Sequence, residues 1–230
     1  MTLLFFQALA DTTQKLGGLT PPAATKINLW DLLVEGGPLM IPLAILLIIA
    51  IYFFCERLMA IRKASRIEGN FMNIIRDHIV TGNVTAAKSL AKNTDNPVAK
   101  VIEKGIQRIG KPIEDIDRSM QNVGSLEMYK MEKNVNILTI ISGLAPKFGF
   151  LGTIVGMIQL FFAITSTGKF ELNTIAGGIY VKMVTSATGL IIGLLAYVGY
   201  QYLNAQIEKT ANKMEAASAE FIDILHEPAK

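Results

Sequence analysis

The sequence predicts an all-α integral membrane protein with three transmembrane helices, two of them extended into a helical cytoplasmic domain. Three observations carry this expectation. Hydrophobic residues make up 51% of the chain and charged residues only 18%, a balance too apolar for disorder and typical of membrane proteins. No Asp or Glu occurs between Glu132 and Glu171, and none again between Glu171 and Glu208, so two long stretches are free of carboxylates. Basic residues, finally, gather to one side of the apolar runs. Buried helices of a soluble protein are the poorer account, because the remaining chain offers too little polar surface to cover three such runs.

Residues 1–37 read as an arm. MTLLFFQALADTTQ has a short apolar run with no basic residue before it, whereas a secretory signal opens on a positive segment. The stretch is expected to lie on the membrane surface as an amphipathic arm, with an incomplete signal as the alternative. LTPPAATK follows as an extended linker, since adjacent prolines oppose a helix. The first span covers 38–55, PLMIPLAILLIIAIYFFC, which is uncharged and just long enough to cross. Pro38 and Pro42 stand in its first turns, where proline is best tolerated, and Trp30 precedes it as an interfacial anchor.

Residues 56–137 are expected to form a cytoplasmic helical insertion. Ile67, Phe71, Ile74 and Ile75 recur at helical spacing and predict a helix over 64–80, broken by Gly82 and Asn83. A short helix follows through Ala91. Asn96-Pro97 supplies a capping side chain and a first-turn proline for the next helix, which Gly110 ends. Pro112 opens another. No terminator separates that last helix from the second span, which predicts one continuous rod entering the membrane. The second span covers 138–165 and the third 174–200, each roughly 40 Å long as a helix, joined by a short loop at 166–173. Residues 201–230 prolong the third span as a C-terminal helix.

Orientation follows lysine and arginine. The 56–137 insertion carries 14 basic residues, beginning with the cluster Arg57, Arg62, Lys63 and Arg66, whereas 1–37 and the 166–173 loop carry only Lys15, Lys26 and Lys169. The positive-inside rule therefore puts the N-terminus outside and the C-terminus in the cytoplasm. Acidic residues are interspersed with the basic ones, so contact with anionic headgroups explains them better than nucleic acid does. Cys55 is the only cysteine and the two histidines, His78 and His226, lie far apart; neither a disulfide nor a metal site is expected. The soluble part shows no nucleophile–base set, no glycine-rich phosphate loop and no metal spacing, so an enzyme is not expected.

Inside the two later spans runs a stripe of small and hydroxyl residues. In the second, Ser142, Ala145, Gly149, Gly152, Thr153 and Gly156 fall near one helical face; in the third, Gly178, Lys182, Thr185, Ser186, Gly189 and Gly193 do the same. Gly152/Gly156 and Gly189/Gly193 are GxxxG pairs, which let membrane helices approach closely. Glycine packing explains the glycines but not the lysines. Lys147 and Lys182 either snorkel to the nearer surface or face a polar path, and Lys182, on the face of Thr185 and Ser186, suits the path. Ionisable groups at membrane depth usually mark function. With no carboxylate in either span, a proton-moving role requires the acid to come from another chain.

The string LTIISGLAPKFGFLGTIVGMI, with Ala145-Pro146, Gly149, Gly152-Thr153 and Gly156, resembles the signature of the MotA/TolQ/ExbB proton-channel family. GGIYVKMVTSATGLIIGLLAYVGY resembles that family's third span, and EMYKMEKNVNIL its charged entry helix. Three spans rather than four point to the ExbB/TolQ branch. The resemblance implies a homopentamer around a central pore in the bacterial inner membrane. A one-span ExbD-like partner would thread helices carrying a membrane aspartate into that pore. Proton flow, with no further cofactor, would then drive a TonB-like protein reaching the outer membrane. By position, Thr153 and Ser186 match the family's pore hydroxyls, with Thr185 beside the latter. Val181 stands where many relatives have a glutamate, and Lys147 replaces a usually apolar residue. A TolQ-like role in envelope integrity, a self-sufficient ion channel and a passive membrane scaffold remain the alternatives.

Overall fold

The computed structural model describes residues 37–65, 69–168 and 172–226. The expected N-terminal arm with Trp30, and also Arg66 and Lys169, lie outside these residues. Among the described residues seven helices follow in order: α1 (Met40–Ala64), α2 (Phe71–Val80), α3 (Val84–Asn93), α4 (Pro97–Ile106), α5 (Ile113–Glu132), α6 (Asn136–Thr167) and α7 (Leu172–His226). Among the described residues there is no strand. Three stretches, containing α1, α6 and α7, are long and apolar enough to cross a membrane.

The molecule has two layers that share α7. In the apolar layer α6 and α7 run antiparallel against each other, with α1 laid along both. In the charged layer α2–α5 gather around the lower half of α7. Phe221, Leu203 and Ile207 of α7 are fully buried there or at its edge, as are Ile102 of α4 and Met120 of α5. Each such side chain contributes about 1.5–3 kcal/mol by leaving water. Gly105 of α4 makes this packing possible: a Cβ at that position would stand 2.6 Å from the Phe221 ring and 2.7 Å from the Met120 sulfur.

The local starts and stops have simple causes. Asn96 accepts a hydrogen bond from the Val98 N–H at 2.8 Å, and Pro97 occupies the first turn of α4. Asn83 caps α3 by accepting from the Ala86 N–H, immediately after Gly82 at φ +75°. The expected helix over 64–80 is corrected: α1 runs on to Ala64 and α2 begins only at Phe71. Gly69-Asn70, a turn-forming pair, directly precedes that start.

The continuous rod into the second span is likewise corrected. The chain turns between α5 and α6, and Asn134 takes a left-handed conformation at φ +66°. Asparagine tolerates that region better than other residues with a Cβ. The Lys133 N–H still donates to the Tyr129 carbonyl, and the Ile137 N–H to Asn134. By contrast, α7 runs through both layers without a break.

Candidate functional site

The α6–α7 seam is built on the absence of side chains. A Cβ on Gly189 would stand 2.6 Å from the Ala145 carbonyl oxygen and 2.9 Å from the Gly149 Cα; one on Gly149 would stand 3.0 Å from the Ser186 carbonyl oxygen. The two backbones thus touch at mid-span, in the close approach that small residues permit. Pro146 offers no N–H to the Ser142 carbonyl one turn back. That carbonyl faces Gly193 instead, 2.9 Å from where a Cβ would be, with the proline ring itself at 2.6 Å. Ala145 is fully buried. Further along, Gly178 receives the Leu160 side chain, at 3.1 Å from the glycine's would-be Cβ.

The seam has two flanks. Gly152 meets Leu39, just before α1, and Gly199 meets Phe54 of α1, so α1 covers one flank. Thr153 is one residue, or about 100° of turn, past Gly152. Ser186 stands about 120° around α7 from Ile192, whose buried side chain lines the groove against α1. Both rotations lead to the flank away from α1, because the helices are antiparallel. Thr153 and Ser186 are each half-buried there. The Thr153 hydroxyl donates to the Phe150 carbonyl of its own helix at 2.7 Å, leaving its oxygen lone pairs as acceptors.

Thr185 and Lys182 lie in the seam itself rather than on that flank. Thr185 is fully buried, and its methyl group stands 2.9 Å from the would-be Cβ of Gly152. The aliphatic stem of Lys182 fills the slot over Gly156, and its ammonium reaches to within 3.9 Å of where a Gly37 Cβ would stand, at the mouth of α1. The lysine therefore runs outward along α6, apolar stem inside and charge toward the surface, as long cationic side chains do at membrane depth. Lys147 is exposed, five positions from Gly152 and turned about 140° from it, so it points out of the seam altogether.

A charged cluster at the opposite end of α1 has no counterpart among the expected site residues. Glu127 of α5 is buried and accepts from Lys130 at 2.6 Å and Lys100 at 3.4 Å. Asp95 pairs with Lys63 at 3.3 Å and Lys100 at 3.4 Å. Hydrogen bonds from Lys63 and then Lys100, with their charges, hold the Asp95 carboxyl below the ordinary aspartate range. The dense basic stretch after the first span was the signal in the sequence. What it lacked was the knowledge that α4 and α5 fold back beside it.

Residues 93–216 match the MotA/TolQ/ExbB proton channel family. A biopolymer transport protein ExbB homolog from Methanothermobacter thermautotrophicus is 26% identical over 171 residues, which cover 73% of this chain and 61% of that protein. Biopolymer transport protein exbB1 of Vibrio cholerae is 33% identical over 90 residues, 39% of this chain and 40% of its own. The Tol-Pal system protein TolQ of Pseudomonas aeruginosa is 27% identical over 114 residues, 50% of this chain and 49% of its own. The chain spans between 40% and 61% of the length of these relatives. The family match takes in more than half of the sequence, including the glycine seam, both flank hydroxyls and α7 as far as residue 216, and on that ground the chain belongs to the MotA/TolQ/ExbB proton channel family.

Proposed function

We propose that the chain is an ExbB-like subunit of a proton-driven motor in the bacterial inner membrane, with its N-terminus outside and its C-terminus in the cytoplasm. Five copies would surround a pore, and an ExbD-like one-span partner would supply the membrane aspartate. Proton flow would then drive a TonB-like protein that energises outer-membrane transport. The observation that carries this reading is the shared flank of Thr153 and Ser186. Two hydroxyls stand at similar depth, on the side left uncovered by α1, in spans that hold no carboxylate of their own. Such a face offers acceptors and donors to a titrating acid brought by another helix, and nothing that titrates by itself near neutral pH.

Lys182 fits as a positioning charge. Its ammonium, near the outer mouth, favours the ionised form of a carboxylate approaching from that side. Family relatives named for both biopolymer transport and the Tol-Pal system match this chain, and a TolQ-like role in envelope integrity is the second reading on that ground.

The test is reconstitution. The chain is coexpressed with the product of the neighbouring gene for a small one-span protein, copurified, and placed in liposomes bearing a pH gradient. Proton flux is expected only with both proteins present, and is expected to vanish when the partner's membrane aspartate becomes asparagine. Flux through the chain alone would restore the self-sufficient channel instead. Neighbouring genes of the TonB or the TolA and TolB kind separate the two branches.

A further inference from the structure

The charged end of α1 forms a cavity of about 250 Å³ lined by Arg57, Lys63, Asp95, Lys100, Glu127 and Lys130. Four cations face two carboxylates there, and Glu56, which pairs with Arg57, brings the carboxylates to three. One positive charge stays in excess. Asp95 and Glu127 each bind two lysines, so the lysines are held in place by bonds that already exist. Arg57 differs from them. Its side chain is 12% exposed, and its Nε is fully buried and meets no acceptor. Arg57 also lines the cavity, where its planar donor fork is available to an oxyanion.

Depth points to the same chemistry. The apolar run of α1 ends at Cys55. Arg57 is two residues beyond and Lys63 eight, or about 3 and 12 Å along the axis. The polar headgroup layer is about 5–7 Å thick on each side of the hydrocarbon. The cavity therefore opens at headgroup depth and extends past it. In the proposed orientation this is the cytoplasmic leaflet, where anionic lipids draw basic residues.

We infer that this cavity is a binding site for a phosphate-bearing anion, with the Arg57 guanidinium donating to the phosphate oxygens and Lys63 and Lys130 flanking it. A phosphate offers several acceptor oxygens to the planar donor fork of arginine, which suits such groups better than a lysine does. The source is either the headgroup of an anionic phospholipid or phosphate dissolved in the cytoplasm. The site lies at the charged ends of α1, α4 and α5, apart from the Thr153–Ser186 flank.

The experiment uses the full chain, delipidated in detergent. Native mass spectrometry measures retention of added phosphatidylglycerol against phosphatidylcholine, and equilibrium dialysis measures binding of inorganic phosphate. For the lipid source, phosphatidylglycerol is expected to be retained at least tenfold better than phosphatidylcholine. That preference should fall about tenfold in Arg57→Gln and in Lys63→Gln, and hold in Lys209→Gln, which alters an exposed lysine of α7 outside the cavity. For the soluble source, lipid preference is near one, and inorganic phosphate binds and is lost in the same two variants. If Arg57→Gln shows no cooperative thermal transition, Lys63→Gln carries the result, since that side chain is 78% exposed and its loss leaves the packing intact. The inference is overturned if neither probe binds selectively, or if selective binding is the same in wild type, Arg57→Gln and Lys63→Gln.

Discussion

The two flank hydroxyls and the two seam side chains answer to different tests. Thr153→Ala and Ser186→Ala remove an oxygen from a half-exposed face and leave the seam untouched. Each is expected to lower proton flux of the reconstituted complex at least tenfold while the amount of copurified partner stays constant; retention of full flux in both would return the passive scaffold. Thr185→Val keeps the shape that meets Gly152 but strips the hydroxyl from a fully buried position. Its expected effect is a loss of stability in a thermal melt, about 0.5–1.5 kcal/mol for the hydrogen bond to the Val181 carbonyl, with flux per folded complex unchanged. At the charged end, the Asp95 carboxyl is held down by Lys63 and Lys100. Its folded value lies below its unfolded one, so the link is whole above the ordinary aspartate range and is lost as pH falls through the lowered value. Titration of Asp95 by NMR, with and without Lys63→Gln, checks the direction: the variant should titrate at higher pH. The hydroxyl stripe was readable from helical spacing alone. Which of its members face outward was not, because the position of α1 decides it, and nothing in the sequence says on which side of the seam α1 lies.

The helices themselves show the same division between local and distant causes. Asn96-Pro97 marked the start of α4 because a cap and a first-turn proline act within one turn. The joint at Asn134 uses neither glycine nor proline, and a lone asparagine in a charged stretch is no turn signal by itself. Asn134→Val is expected to destabilise the fold by about 1–2 kcal/mol, and Asn134→Gly to be close to neutral, as read by thermal unfolding in detergent. The glycines divide in the same way. Gly189→Ala places a methyl group 2.6 Å from a carbonyl oxygen of α6 and is expected to cost about 1–3 kcal/mol. Gly143→Ala, in the same helix as Gly149 but with nothing within 4 Å, is expected to be stabilising, by about 0.4–1 kcal/mol. Equal effects at both positions would mean that α6 and α7 do not meet as described. Composition alone made these glycines look alike.

At the scale of the molecule, two differently stabilised layers share one helix. Many large apolar side chains of the spans are exposed on the single chain, Phe161, Phe162 and Ile158 among them, and call for lipid or neighbouring copies to cover them. The charged layer has its own core around Phe221. Phe221→Ala is expected to cost about 3–5 kcal/mol and to open α2–α5 to limited proteolysis before the spans are cut. The three candidate spans were plain from hydropathy, and the proposed orientation rests on charge. The shared helix was legible too, since no breaker interrupts 172–226, yet its meaning depends on a contrast the sequence hid. The path through α5 and α6 has a joint at Asn134, whereas α7 runs for 55 residues without one, about 80 Å. It is a lever. A tilt of one degree imposed at its outer end swings the far tip by about 1.4 Å over that length, enough to be felt at Phe221, while the companion arm can absorb the same push by bending at its elbow.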